Sequence, residues 1–340
     1  MDDYIEESVK FRMGKWYNKK FKLNEFDWND IQEKNYITRV NLRWKFWIER
    51  FKNLGITKNP GIILDSQDAF IYDDFIEKKG NYGWSLENIS KIPVATHNRQ
   101  AKCRNSILVP LRQPTLSKIK NKFVDSYSFS EKKNEIVWRG KFTGTLHDEH
   151  CAWWKLDGDS YKKLLRYKAV SLWSKKFNIK FSEKFLALLD PDYLMNDFYP
   201  IKGKNKNVVK NFYSHAKKNN MFGGYLDFRE EMCQYKYILN LDGHDSSSGI
   251  IHSLRSNSLM ISPTPKWHIV VNFKLEPWVH YVPLKDDTSD LGEKLKWCNS
   301  NQEKCEEIVK NASEYISQFN EKSEQEIETR IFEKLYENGE

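Results

Sequence analysis

Apolar positions along the chain change their spacing several times, and each change marks an element. Residues 1–60 read as helical and mixed. From Asn41 to Leu54, Trp44, Trp47, Ile48, Phe51 and Leu54 recur at helical intervals and share one face, with Leu42 and Phe46 off it; Asn59-Pro60-Gly61 ends the helix. Short apolar runs between turn residues follow and read as strands: Gly61 to Asp65, Ile92 to Ala95, and Ser106 to Pro110. A Lys-, Ser- and Asn-rich stretch over 111–134 reads as a domain boundary. Beyond it, Glu135 to Gly144 is a strand running into a glycine turn. Tyr161 to Phe177 is a helix with Leu164, Leu165, Val170 and Trp173 apolar and Arg166 among them. Phe185 to Leu189 is a strand or buried segment, Met221 to Gly224 a turn, and Asp227 to Gln234 a helix. Tyr235 to Leu239 and Asn257 to Ile261 are buried strands flanking a short helix, Ile250 to Arg255. After Pro283 the spacing of Leu291, Leu295 and Cys298, then of Cys305, Ile308, Val309, Ala312, Tyr315, Ile316 and Phe319, is helical again. Strands alternating with helices predict an α/β protein with parallel sheets.

The most informative stretch is the second of these strand pairs. The strand ends in Asn240-Leu241-Asp242-Gly243, and the polar turn His244-Asp245-Ser246-Ser247-Ser248-Gly249 leads into the helix. Strand, serine-rich turn, helix start and strand form the shape of a nucleotide-binding crossover, where a phosphate meets backbone N–H groups and the positive helix end. A plain solvated loop is the bland alternative. Asp65 sits at the carboxyl end of a strand, where open α/β sheets place site residues, and as a turn cap it would have no chemistry. Gly140 and Gly144 flank Thr143 in a turn with Arg139 and Lys141, where glycine lets backbone approach an anion.

Composition narrows the classes. With 340 residues the chain accommodates two domains. Charged residues at 30% and hydrophobic ones at 39% give a soluble globular protein. No apolar run approaches the roughly 20 residues of a membrane helix. The acidic start Met1-Asp2-Asp3-Tyr4 is no secretory signal, and a cytoplasmic location is expected. Cys103, Cys151, Cys233, Cys298 and Cys305 are odd in number and widely spaced, which predicts free thiols in a reducing compartment. The net charge of +8 fits a negatively charged ligand. Apart from a basic loop at 201–207, lysines are interspersed with acids, which argues against nucleic acid as the partner. Aromatics reach 14%, with 12 tryptophans, most of them expected in the core.

Several motifs taken together resemble one known family. Lys236 to Gly243, Asn257 to Met260, Leu275 to Pro283, Thr288 to Leu291, and Trp138-Arg139-Gly140 with Thr143 are similar to the conserved segments of the capsule-associated-protein-like glycosyltransferases, family 90, which include protein O-glucosyltransferases and capsule xylosyltransferases. The similarity is close over 233–319, looser over 135–232 and faint before 130. The resemblance implies a GT-B architecture, two Rossmann-like α/β domains facing across a cleft: an acceptor-side domain, 1–128, with a C-terminal helix over 315–340 packing back on it, and a nucleotide-sugar-binding domain, 129–314. It implies an inverting transfer of glucose or xylose from a UDP-sugar to a hydroxyl of a glycan or glycoprotein. No metal or other cofactor is required. Carried over by position, Arg139, Gly140, Thr143, Arg166, Asp242, Gly243, Ser246, Ser247, Ser248, His252 and Ser258 line the donor, and Asp68, His97 and Ser106 lie on the acceptor side.

Two departures stand out. The family's phosphate-binding arginine falls on Gly249, the last residue of Ser247-Ser248-Gly249, and its presumed catalytic aspartate falls on Ser106, which is no base at neutral pH. Asp65 is the carboxylate left to act as the base. The departures also leave open a degenerate, non-catalytic glycan- or nucleotide-sugar-binding protein. Asp157-Gly158-Asp159 and Asp190-Pro191-Asp192 could hold Mn²⁺ against a diphosphate, but DxD pairs are common by chance; His147-Asp148-Glu149-His150 could ligate a metal, but a surface turn is the favoured reading there.

Overall fold

The computed structural model describes residues 2–23, 26–27, 47–60, 62–65, 93–101, 106–109, 124–146, 151–152, 158–183, 204–247 and 249–340. The labelled helices are α1 Asp2–Met13, α2 Leu165–Trp173, α3 Lys204–Lys218, α4 Ile250–Arg255, α5 Leu291–Ser300, α6 Gln302–Ser317 and α7 Glu321–Asn338. The strands that build the two parallel sheets are β1 Ile63–Asp65, β2 Val94–Thr96, β3 Ile107–Leu108, β4 Lys133–Gly140, β5 Asn178–Ser182, β6 Phe222–Gly223, β7 Tyr235–Leu239, β8 Leu259–Pro263 and β9 Val282–Leu284. The chain divides into two compact units. One holds Met1–Lys122, Lys266–Leu275 and Ser317–Glu340, and the other holds Phe123–Pro265 and Glu276–Ile316.

In the first unit β1, β2 and β3 form a parallel sheet in that order, and Arg99–Gln100 pairs antiparallel with Trp267–His268. α7 begins with a reciprocal cap: Asn320 Oδ1 accepts from Ser323 N at 3.2 Å, and Asn320 N donates to Ser323 Oγ at 3.2 Å. Its stripe Ile327, Ile331, Phe332 and Leu335 packs with Ile5, Val9 and Met13 of α1 and with Trp47 and Phe51 of the helical run 47–53. Charge is buried with this core. Arg12 donates to both carboxylate oxygens of Glu324, at 2.9 and 2.6 Å, and both side chains are fully buried. Arg50 pairs with Glu328 at 2.5 Å and with Glu321 at 3.0 Å. Burial pushes the Glu328 carboxyl up to about 7, against the pull of Arg50.

In the second unit six strands form one all-parallel sheet in the order β6-β5-β4-β7-β8-β9. Numbered along the chain within this sheet, that order is 3-2-1-4-5-6, the arrangement of a doubly wound, Rossmann-type sheet. Alternation along the strands covers both faces. Ile136, Trp138, Ile179, Phe181, Tyr237 and Leu239 join Val170 of α2, Phe212 of α3, Leu291 of α5 and Ile308 of α6 in one core. Val137 and Ile238, one residue out of phase, pack with Met232 on the opposite face.

Three segments differ from their sequence reading. Met221–Gly224 carries the edge strand β6, whose Phe222 packs on Phe181 and Phe212 and pairs with Phe181. Over 227–234 turns and a short 3-10 turn replace a helix: Asp227 Oδ1 accepts from Arg229 N at 2.8 Å and Glu230 N at 3.2 Å as a helix cap does, but Met232 N then donates to Asp227 O at 2.9 Å and Cys233 N to Phe228 O at 3.0 Å, five residues back, and the helical pattern is not continued. The basic run read as a loop is helical from Lys204 on. The reading of Phe185–Leu189 and the part of the first aromatic helix before 47 lie outside the described residues. Cys233, Cys298 and Cys305 are free and buried. Among the described residues no helix is long and apolar enough to cross a membrane.

Candidate functional site

β4 and β7 are neighbours in the sheet, but the chain leaves them in opposite directions: β4 leads through α2 to β5, and β7 leads through α4 to β8. This is the topological switch point, where the loops beyond two carboxyl ends diverge and open a crevice for a ligand. The loop after β4 is pinned by Phe142, buried and stacked on Phe212 with ring centroids 3.5 Å apart. Gly140 precedes it, and a side chain there would land on the Trp138 ring.

Arg166, in the first turn of α2, ties the two loops together. Its Nη1 donates to Lys141 O at 3.2 Å and to Thr143 Oγ1 at 2.8 Å. Its Nε donates to Asp242 O at 3.2 Å and its Nη2 to Leu241 O at 3.0 Å. A Cβ on Gly243 would stand 2.7–2.9 Å from the guanidinium, so glycine at this position is what lets the arginine in. Burial lowers the Arg166 pKa to about 10, although Asp242 and Asp245 pull it upward. The site therefore contains a half-buried, partly desolvated cation whose hydrogen bonds go to three carbonyls and one hydroxyl.

The serine turn lies over the end of β7. Asp242 Oδ1 accepts from Ser247 N at 3.2 Å, Gly243 N donates to Asp245 O at 2.9 Å, and Ser247 Oγ accepts from Gly249 N at 3.2 Å. Ser246 and Ser247 are half-buried there. The helix that follows has six residues, so its end offers little of the expected dipole. Beneath the turn, Asn240 is 3% exposed and Oδ1 has no hydrogen-bond partner. Asn240 is a residue that motif reading did not single out.

The remaining residues expected at the donor lie elsewhere. Arg139 donates to Gly224 O at 2.9 Å, Asn178 O at 3.0 Å and Asn178 Oδ1 at 2.7 Å, toward the β5 and β6 side of the sheet, and burial lowers its pKa. His252 stacks on Phe228 with centroids 5.0 Å apart. Ser258 precedes β8 and donates to Tyr235 O at 2.7 Å, at the start of β7. In a parallel sheet that is the amino edge, opposite the serine turn, so Ser258 is not grouped with Ser246 and Ser247. Ser248 lies outside the described residues.

In the first unit Asp65 is the last residue of β1 and pairs with Thr96. His97 and Ser106 are 2% and 0% exposed; His97 Nε2 is 2.7 Å from Asn98 Nδ2, and Ser106 Oγ is 2.9 Å from Thr96 Oγ1. Neither side chain meets solvent. Asp68 lies outside the described residues, as do Asp157, Asp190, Asp192 and His147 to His150. Asp159 is exposed and pairs with Lys162 at 2.5 Å. Among the described residues no three His, Cys, Asp or Glu side chains cluster as metal ligands would.

Comparison with known proteins bears out the resemblance. Residues 202–325 match the model of glycosyl transferase family 90. That segment contains the serine turn, Asn240 and Gly243. The O-glucosyltransferase LpsA of Dichelobacter nodosus is 39% identical over 87 residues, 25% of this chain and 27% of that protein. The uncharacterized protein 179R of Invertebrate iridescent virus 6 is 36% identical over 97 residues, 26% of this chain and 8% of that one. Protein O-glucosyltransferase 1 of Rattus norvegicus is 36% identical over 84 residues, 25% of this chain and 21% of that one. The matched stretches thus span about a quarter or less of these relatives. A glycosyltransferase from Rickettsia africae ESF-5 aligns with 91% of this chain and 85% of its own at 11% identity, with a TM-score of 0.42.

Proposed function

We propose that this chain is a UDP-sugar-dependent glycosyltransferase that moves glucose or xylose to a hydroxyl of a glycan or glycoprotein, with inversion and without a metal, in a GT-B architecture. The observation that carries the reading is the coincidence of two independent facts. The family-90 segment contains the loop beyond β7, and the sheet order makes that loop one wall of a switch point. Arg166 supports the chemistry. A leaving diphosphate gains negative charge as the glycosidic bond breaks, and a desolvated cation fixed in advance stabilises it more than a solvated one. Thr143, Ser246 and Ser247 bring hydroxyls to the same loops. Asp65 is the proposed base that takes the acceptor's proton.

Two observations favour a second reading, donor binding without transfer. Gly249 occupies the place of the family's phosphate-binding arginine, and Ser106, in place of its aspartate, is sealed in the first unit's core. One experiment separates the readings. The full chain is titrated with UDP-glucose and UDP-xylose while its melting temperature and the release of free UDP are followed. Transfer or donor hydrolysis requires both a rise in melting temperature with one sugar nucleotide and UDP release. A rise without UDP release selects the binding module, and no rise with either compound removes both readings. Asp65→Asn should abolish UDP release and leave the rise intact.

A further inference from the structure

Asn240 follows the last residue of β7, at the floor of the switch point. Its backbone N–H is taken by Ile261 O at 2.8 Å, which holds the residue in line with β8. The orientation of its side-chain amide is decided by a relay. Ser262 Oγ donates its one proton to Pro263 O at 2.8 Å, so toward Asn240 it only accepts, and it accepts from Nδ2 at 3.3 Å. The NH₂ group therefore faces Ser262, and Oδ1 faces the other way. There it comes within 3.9 Å of where a Cβ on Gly249 would stand, beneath the serine turn. An amide oxygen buried without a donor is costly, on the order of 1–3 kcal/mol. Such a group in a folded chain calls for a missing partner. Among the described residues the turn supplies none: Ser247 N goes to Asp242, and Gly249 N goes to Ser247 Oγ.

We propose that Asn240 is a donor-positioning residue, whose Oδ1 accepts a hydrogen bond from a hydroxyl of the bound sugar nucleotide. The proposal rests on the UDP-sugar reading above and adds a residue to it. The ligand atom must be a hydrogen-bond donor, which excludes the diphosphate oxygens; the donors that adjoin the diphosphate are the hydroxyls of the ribose and of the transferred sugar, with the uracil N3–H a ribose further away. Arg166 and the loop hydroxyls then meet the negative part of the ligand, and Asn240 meets a neutral hydroxyl beside it. Binding removes an orphaned acceptor, so the bond is worth more than one exchanged with water.

Calorimetric titration of the full-length protein with UDP and with UDP-glucose tests this. Asn240→Ala is expected to weaken UDP-glucose about tenfold, the loss of one hydrogen bond at a buried acceptor. A loss shared by UDP assigns the bond to the uridine part of the ligand, and a loss confined to UDP-glucose assigns it to the transferred sugar. Ser262→Ala leaves the carbonyl in place but removes the hydroxyl that aims it, and should weaken binding about threefold, which keeps the idea testable if Asn240→Ala does not fold. Unchanged affinity for both ligands in the folded variants overturns the proposal and leaves the wild-type binding intact. Absence of binding by the wild type overturns the UDP-sugar reading itself, and the proposal with it.

Discussion

The first unit buries an arginine and the second half-buries one, and they are held in opposite ways. In the first unit Arg12 faces the carboxylate of Glu324 through two hydrogen bonds, and that partner raises its pKa. In the second unit Arg166 faces carbonyls and a hydroxyl, and burial lowers its pKa to about 10. Arg12 is neutralised where it stands and holds α1 to α7. Arg166 holds two loops together, and its charge is only partly offset by Asp242 and Asp245, so the field at the switch point is left for a ligand. The contrast separates a buried cation that serves the fold from one that is available to chemistry.

The largest effect should come from breaking the neutralised pair. Arg12→Ala leaves the Glu324 side chain buried without its partner, which costs about 3–5 kcal/mol. Urea unfolding followed by fluorescence should show the first unit melting early. UDP affinity, measured below that transition, should stay within twofold or so of wild type. If the first unit's stability hardly moves, the pair is not what holds α1 to α7. Arg166→Ala is expected to invert the pattern, with UDP affinity falling about a hundredfold and a smaller loss of stability. Arg166→Lys should recover little, since one ammonium does not reach carbonyls on both loops as the planar fork does. Equal affinity in Arg166→Ala would show that the cation serves the fold alone, as Arg12 does.

A weaker test uses pH. Glu328 has its carboxyl raised from the ordinary 4.5 to about 7, with Arg50, Glu324 and Arg12 facing it and Glu321 sharing Arg50. The folded state therefore holds a proton that the unfolded chain has released. Stability from this group is fully present below about pH 4.5 and is lost as pH rises toward about 7. The first unit's melting temperature should fall from about pH 5 to about pH 8. Glu328→Gln, which keeps the hydrogen bonding without the titration, should flatten that slope. An equally steep slope in the variant would move the titration to another group.

Much of this arrangement was legible in the chain. Tyr235–Leu239 and Leu259–Ile261 are apolar runs between turn residues, and both are central strands. The serine turn announced itself through six consecutive small or polar residues. Arg166 carried no such signal: it sits in an ordinary amphipathic helix, and only the family resemblance pointed to it. The sheet, by joining the ends of β4 and β7, shows what the side chain spans. The family resemblance carries Ser258 over with the serine turn, yet the residue before a parallel strand lies at the edge opposite the residue after one. Asn240 was part of a recognised motif but was passed over, because its unpartnered oxygen exists only once β8 and Ser262 are in place. Asp227 caps one turn as it would cap a helix, and composition alone does not show that the chain stops after that turn.

The smallest and most discriminating change adds a cation where the family has one. Gly249 has φ −76° and ψ −21°, a conformation open to any residue. A Cβ there would meet Ser247 Oγ at 3.3 Å and Asn240 Oδ1 at 3.9 Å, so the hydroxyl must yield by a few tenths of an ångström. Gly249→Arg would place a second positive charge over the turn, and UDP affinity should rise about fivefold with a steeper salt dependence. If the diphosphate lies between this turn and Arg166, the gain should require Arg166 and shrink in Arg166→Ala, because both cations then grip one ligand. A gain that survives undiminished in Arg166→Ala would mean that the two arginines act on separate groups. A loss of affinity would mean that the turn carries no phosphate, and Arg166 would join Arg12 as a cation that serves the fold.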